Sequence, residues 1–257
     1  MKKNYKIIIG YDGTRYYGWE HQPDQTTIQG KIEDVLSHLS DNSTSQECGN
    51  NGTMIEVIGA GRTDAGVHAE GMVANFCIDV DMDTTELRDY MNHYLPDDIV
   101  IKEVREASER FHSRYNAIGK TYRYTCFDGV TKPIFDRKYV WVLEQRLDLV
   151  KMQEAAEYLI GEHDYCGFCK NPQKKKSTVR TIDRIEIKRS TDYVTLSFHG
   201  NGFLRNMVRI LTGTLVSVGL GEIQPEQMKD IIEAKNREAA GVTAPAKGLC
   251  LIQVDYM

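Results

Sequence analysis

The chain has 257 residues, 41% of them hydrophobic, a formal net charge of −5 and six scattered cysteines. That length and composition suit one large or two modest domains with buried cores, not a disulfide-stapled miniature, and the acidic total argues against a uniformly basic nucleic-acid binder. Apolar runs fall well short of the ~18 residues that span a bilayer, and the opening Met1-Lys2-Lys3-Asn4-Tyr5-Lys6 has no signal-type stretch, so a cytoplasmic protein with reduced thiols and no membrane association is expected.

Residues 4–11 are apolar and flanked by tyrosines, which predicts a strand. Thr26 and Gln29 have the spacing of a capping box, and Ile28, Ile32, Val35, Leu36 and Leu39 follow at helical intervals. Residues 40–53, rich in Ser, Asn and Gly, read as an exposed loop, and residues 54–58 as a strand. A glycine-punctuated turn comes next, with another strand at about 71–78. A second helix carries Leu87, Tyr90, Met91 and Tyr94 and stops before Pro96. Strands are expected at about 99–106 and 119–127, a helix at about 147–160, strands at about 179–188 and 192–199, and a packed helix over most of 203–218. Pro225 suits the first turn of another helix, with Met228, Ile231 and Ile232 inward, and residues 248–254 form a last strand. The class is α+β, with a sheet-plus-helix composition in each half, divided as 1–110 and 111–257.

Charge is segregated along the chain. Between Lys170 and Arg189 eight basic residues stand against two acidic ones, whereas between Asp79 and Asp98 seven acidic residues stand against Arg88 alone. The basic segment is either a solvated loop or a surface that attracts phosphates. Cys166-Gly167-Phe168-Cys169, preceded by His163, has metal or redox spacing but no second ligand pair to complete a zinc site; two small buried residues explain it as well.

The turn is the most informative segment: Gly59-Ala60-Gly61-Arg62-Thr63-Asp64-Ala65-Gly66-Val67-His68-Ala69 sets an arginine and a carboxylate among glycines that admit unusual backbone angles or a close approach. A dinucleotide fingerprint would place its third glycine three residues after the second and open a helix, and neither holds. Two readings stand on these residues: a structural hairpin turn, or a functional loop in which Asp64 acts as a carboxylate that needs no activating base at neutral pH. The sequence Gly119-Lys120-Thr121 is no P-loop, because the motif's first glycine would fall at Arg114.

The loop resembles the signature of the TruA-type tRNA pseudouridine synthases. Tyr11 to Trp19, Phe111 to Tyr115, Lys120 to Tyr124, Gly202 to Arg209 and Ala244 to Leu249 resemble further segments of that family in the same order, so the similarity runs along nearly the whole chain. The resemblance implies two similar domains flanking a positively charged active-site cleft, a homodimer, and isomerisation of uridine to pseudouridine in the anticodon stem-loop of tRNA at positions 38, 39 and 40. It implies neither cofactor nor metal. Asp64 matches the catalytic aspartate, and Tyr122, Arg62, Arg209 and Leu249 match substrate-pocket positions. Taken alone, Tyr122 and Tyr124 are equally one core face of a strand, and Arg209 a snorkelling arginine. Arg205, one turn before Arg209 on the same helical face, and the cluster Lys174, Lys175 and Lys176 are candidate RNA contacts. His68 is read as structural. The chain departs from the family at Glu20-His21, where a glutamine and a basic residue are usual. A non-catalytic tRNA-binding protein of the same architecture and a zinc or thiol enzyme are the competing classes.

Overall fold

The structure, a computed structural model, describes residues 2–43, 55–172 and 176–257. Its contacts divide the chain into two compact units, Met1–Ala117 with Gln253–Met257, and Ile118–Ile252.

In the first unit, β1 (Lys3–Tyr11) pairs antiparallel with both β3 (His68–Ile78) and β4 (Ile99–Ala107), and the two-residue β2 (Ile58–Gly59) pairs with β3. The strict alternation of Tyr5, Ile7 and Ile9 puts all three on a buried face, with Tyr5 stacked on Phe76 at 5.8 Å between ring centroids. Helices α1 (Ile28–Ser43) and α2 (Thr84–Tyr94) supply Ile28, Ile32, Leu36, Leu87 and Met91 to the core. Helix α2 opens on a complete capping box between Asp83 and Glu86. At α1 the capping hydroxyl belongs to Thr27, which accepts from Gly30 N–H at 3.2 Å, one residue later than the spacing of Thr26 and Gln29 suggests; Gln29 instead donates to Glu33 at 2.8 Å. The helix runs on to Ser43, past the predicted loop start at residue 40, and residues 44–53 of that loop lie outside the described residues.

Of the predicted strand 54–58, Met54 lies outside the described residues, and among 55–58 only Ile58 is strand, as the first residue of β2. The reason is a competing acceptor: Val57 N–H donates to Oε1 of the buried Glu33 at 3.0 Å, so a helix carboxylate takes the place of a ladder partner.

In the second unit, β5 (Ala117–Phe127), β9 (Tyr193–Gly200), β8 (Val179–Ser190) and β7 (Gly161–Asp164) pair antiparallel in that order, and β6 (Trp141–Val142) runs parallel to β5. Helix α3 (Leu149–Glu157) lies on β8 and on α4 (Met207–Gly219). Helix α4 is buried along its whole length apart from the half-buried Arg209, as an all-round apolar sequence requires. It starts at Met207, not at 203, because Asn206 adopts a left-handed φ of 60°. Helix α5 (Gln227–Ala234), with Met228 and Ile231 buried, precedes the last strand, β10 (Leu249–Tyr256). None of the described helices is long and apolar enough to cross a membrane.

Candidate active site

In the first unit the turn between β2 and β3 is held from several sides. Trp19 N–H donates to Thr63 C=O at 3.1 Å, Gly66 N–H to Tyr16 C=O at 3.2 Å, Ala60 N–H to Val73 C=O at 2.7 Å, and the Tyr11 and Thr63 hydroxyls lie 2.9 Å apart. Glycine is required where these segments meet. At Gly18, with φ of +97°, a Cβ would lie 2.6 Å from Thr63 O, and at Gly59 a Cβ would lie 2.5 Å from the Trp19 indole. Of the three loop glycines only Gly66 uses positive φ, at 76°. The tight turn closes with Val67 N–H on Asp64 C=O at 3.1 Å, which leaves Asp64 half-buried on a fixed backbone. His68 is buried, and its Nδ1 accepts from Gly13 N–H at 3.0 Å. That hydrogen bond ties the loop to the Asp12-Gly13 turn, where a Cβ on Gly13 would lie 2.0 Å from Val67 O. Arg62 is exposed, and its guanidinium is ion-paired with Glu20.

The second unit carries the other pocket candidates. Tyr122 on β5 is buried, with its ring edge-on to Phe203 at 5.3 Å. Two residues on, Tyr124 is fully buried and donates to Pro245 C=O at 2.7 Å; burial pushes its phenol far above the usual range, so it serves as a neutral donor. A Cβ on Gly248 would lie 2.5 Å from the Tyr124 ring, so the 245–248 turn lies directly on β5 and sets the position of the buried Leu249. Arg209, in the first turn of α4, donates from Nε to Ala244 C=O at 2.7 Å, while its own carbonyl accepts from Ala244 N–H at 3.1 Å. Arg209 and Leu249 are thus both anchored to the 244–249 segment. Arg205 is exposed and lies ahead of α4, off the helical face that a helix from 203 would have given it.

A family model described as tRNA pseudouridine synthase matches residues 7–116 and 155–257. The chain belongs to the TruA-type tRNA pseudouridine synthase family. Among curated relatives, tRNA pseudouridine synthase A of Bacillus sp. strain KSM-64 is 44% identical over 98% of this chain and 99% of its own length, and that of Clostridium kluyveri 40% identical over 99% and 100%. A chain in a Cbf5-Nop10-Gar1 complex is similar over 96% of this chain and 57% of its own, at 11% identity and a TM-score of 0.32. Membership makes the chain a pseudouridine synthase, an isomerase that acts on tRNA.

The basic segment looks different once its partners are visible. Arg189 donates to the fully buried carboxylate of Asp128 at 2.6 Å, and Arg184 and Lys188 both lie against Glu186, whose carboxyl they hold below its usual range. Lys176 is exposed; Lys174 and Lys175 lie outside the described residues. At the C-x-x-C, Cys169 is buried and its thiol is raised by burial, while Cys166 N–H donates to Asp164. The Asp164 carboxyl is depressed by its hydrogen bond from Thr178 and by Lys235, which marks it as the anchor of this short turn. Residues missed by sequence reasoning are Glu20, as the partner of Arg62, and Phe203, as the wall beside Tyr122. The unusual acid at position 20 was the available signal for the first.

Proposed function

We propose that this tRNA pseudouridine synthase converts uridines 38, 39 and 40 of the anticodon stem-loop, with Asp64 as the essential carboxylate. The observation that carries the reading is the fixed Asp64 loop: an aspartate on a backbone held by three neighbouring segments is preorganised for attack on a base that must first leave its stack. Isomerisation breaks the N1 glycosidic bond and joins C5 to the ribose with no net oxidation and no imported group, so the chemistry calls for no cofactor. Tyr122 and Leu249 hold the detached uracil, Arg209 orients Asp64, Arg62 helps displace the base, and Arg205 with Lys174, Lys175 and Lys176 meets phosphates. In this reading the enzyme works in the cytoplasm. Exposed Val130, Ile134 and Phe135 supply an apolar surface for the homodimer; Phe135→Glu is expected to shift the mass in solution light scattering from dimer to monomer.

The test of substrate region uses unmodified tRNAs with a single uridine placed at 38, 39 or 40, or elsewhere in the molecule, and site-resolved mapping of pseudouridine. Product at those three positions alone is expected. Product chiefly elsewhere overturns the anticodon-stem assignment.

A further inference from the structure

Beside the Asp64 loop, within the first unit, lies a concavity of about 260 Å³ whose lining includes Gly61 and Arg62 of that loop. Its lining also includes Glu20, Glu56, Arg114 and Tyr115. The volume sits just below the range of roughly 300–1,000 Å³ for drug-sized ligands, which suits a single planar group.

The Tyr115 side is built, not merely exposed. Ser113 N–H donates to Asn75 Oδ1 at 2.8 Å, the Ser113 hydroxyl donates to Ile58 C=O, and the Ser113 carbonyl accepts from the Tyr256 hydroxyl at 2.6 Å. His112 Nδ1 accepts from both Arg114 and Tyr115 N–H at 3.2 and 3.3 Å, and the His112 and Tyr115 rings lie 4.1 Å apart at 34°. These bonds hold the Tyr115 backbone in place although the residue is 79% exposed. An aromatic ring presented to water on a rigid turn, in a concavity that an arginine and two glutamates also line, supplies the groups that stack a nucleobase and read its edge.

We propose that this concavity is a nucleotide subsite for one unpaired base of the tRNA other than the target uridine, stacked on Tyr115, with Arg114 on its phosphate and its N–H-bearing edge toward Glu56. Arg62 is held by Glu20 at the same rim, so a base entering here meets the arginine that leads to Asp64. The inference rests on the reading of the Asp64 loop as the active site.

The experiment measures the Kd of wild-type, Tyr115→Ala and Tyr115→Phe enzymes for a set of tRNAs, each with one abasic nucleotide in the anticodon arm. Stacking on one base is worth about 1–3 kcal/mol, so Tyr115→Ala should weaken binding about tenfold while Tyr115→Phe, which keeps the ring, binds as wild type. The tenfold difference should vanish on the one tRNA that lacks the occupant base. Equal Kd values for Tyr115→Ala and wild type on intact tRNA overturn the proposal, as does a loss of the same size on every abasic tRNA. Binding is read separately from turnover, so an active Asp64→Asn enzyme, which removes the catalytic reading, is distinguishable from equal Kd values for Tyr115→Ala and wild type, which remove the subsite alone.

Discussion

The Gly59–Ala69 loop and the strand Val179–Ser190 are both rich in charge, yet they use it in opposite ways. In the loop the backbone is fixed by neighbours at Tyr11, Tyr16 and Trp19, and the charged side chains stand at the surface or half-buried. On the strand the charges are largely spent on one another: Arg189 on Asp128, Arg184 and Lys188 on Glu186, His199 with Asp183. The loop sets exposed and half-buried charge on a fixed backbone, whereas internally compensated charge makes a stable sheet with a reduced pull on phosphate. The acidic total of the chain is therefore compatible with RNA work, because what counts is which cations remain available.

The strand's largest vulnerability is its buried pair. Arg189→Ala leaves the carboxylate of Asp128, whose side chain has no exposure, with Leu147 N–H as its partner among the described residues, and should destabilise the protein by about 3–5 kcal/mol in chemical denaturation. A cost under about 1 kcal/mol would mean the pair is not structural. The loop should be most sensitive through its backbone: Gly18→Ala forces a side chain onto positive φ and into Thr63 O, with an expected cost of about 1–3 kcal/mol in thermal unfolding and a matching drop in kcat. Lower stability with full turnover would show that the loop tolerates displacement.

Smaller effects sharpen the contrast. Lys176→Ala should lower the slope of log Kd against log salt by about one, measured on tRNA, whereas Lys188→Ala, already paired with Glu186, should change it less. Equal changes would erase the distinction between spent and available cations. Glu20→Gln should alter stability by less than about 1 kcal/mol, since the pair with Arg62 is exposed, and should tighten tRNA binding by releasing the arginine. Weaker binding would assign Glu20 a direct role in contacting RNA.

What was legible in the sequence was local. Alternation and helical spacing placed helices α1 to α5 and the long strands, because those periods report burial directly, but not the short β6 and β7. Boundaries failed where a through-space partner intervened: Glu33 draws Val57 out of a strand, Thr27 caps a helix that Thr26 was expected to open, and left-handed Asn206 delays α4 and leaves Arg205 outside it. The Asp64 loop stood out because glycines, arginine and carboxylate are contiguous there. Its support did not, since Tyr11, Trp19 and Gly18 reach it from more than 40 residues away.

The most direct test of Asp64 as the reacting carboxylate is single-turnover pseudouridine formation by Asp64→Asn on unmodified tRNA, with Kd measured on the same preparation. The expected result is a loss of about 10³-fold or more in rate with Kd within about twofold of wild type, the pattern of a group that acts only in the chemical step. Substantial turnover by the verified Asn variant would contradict it.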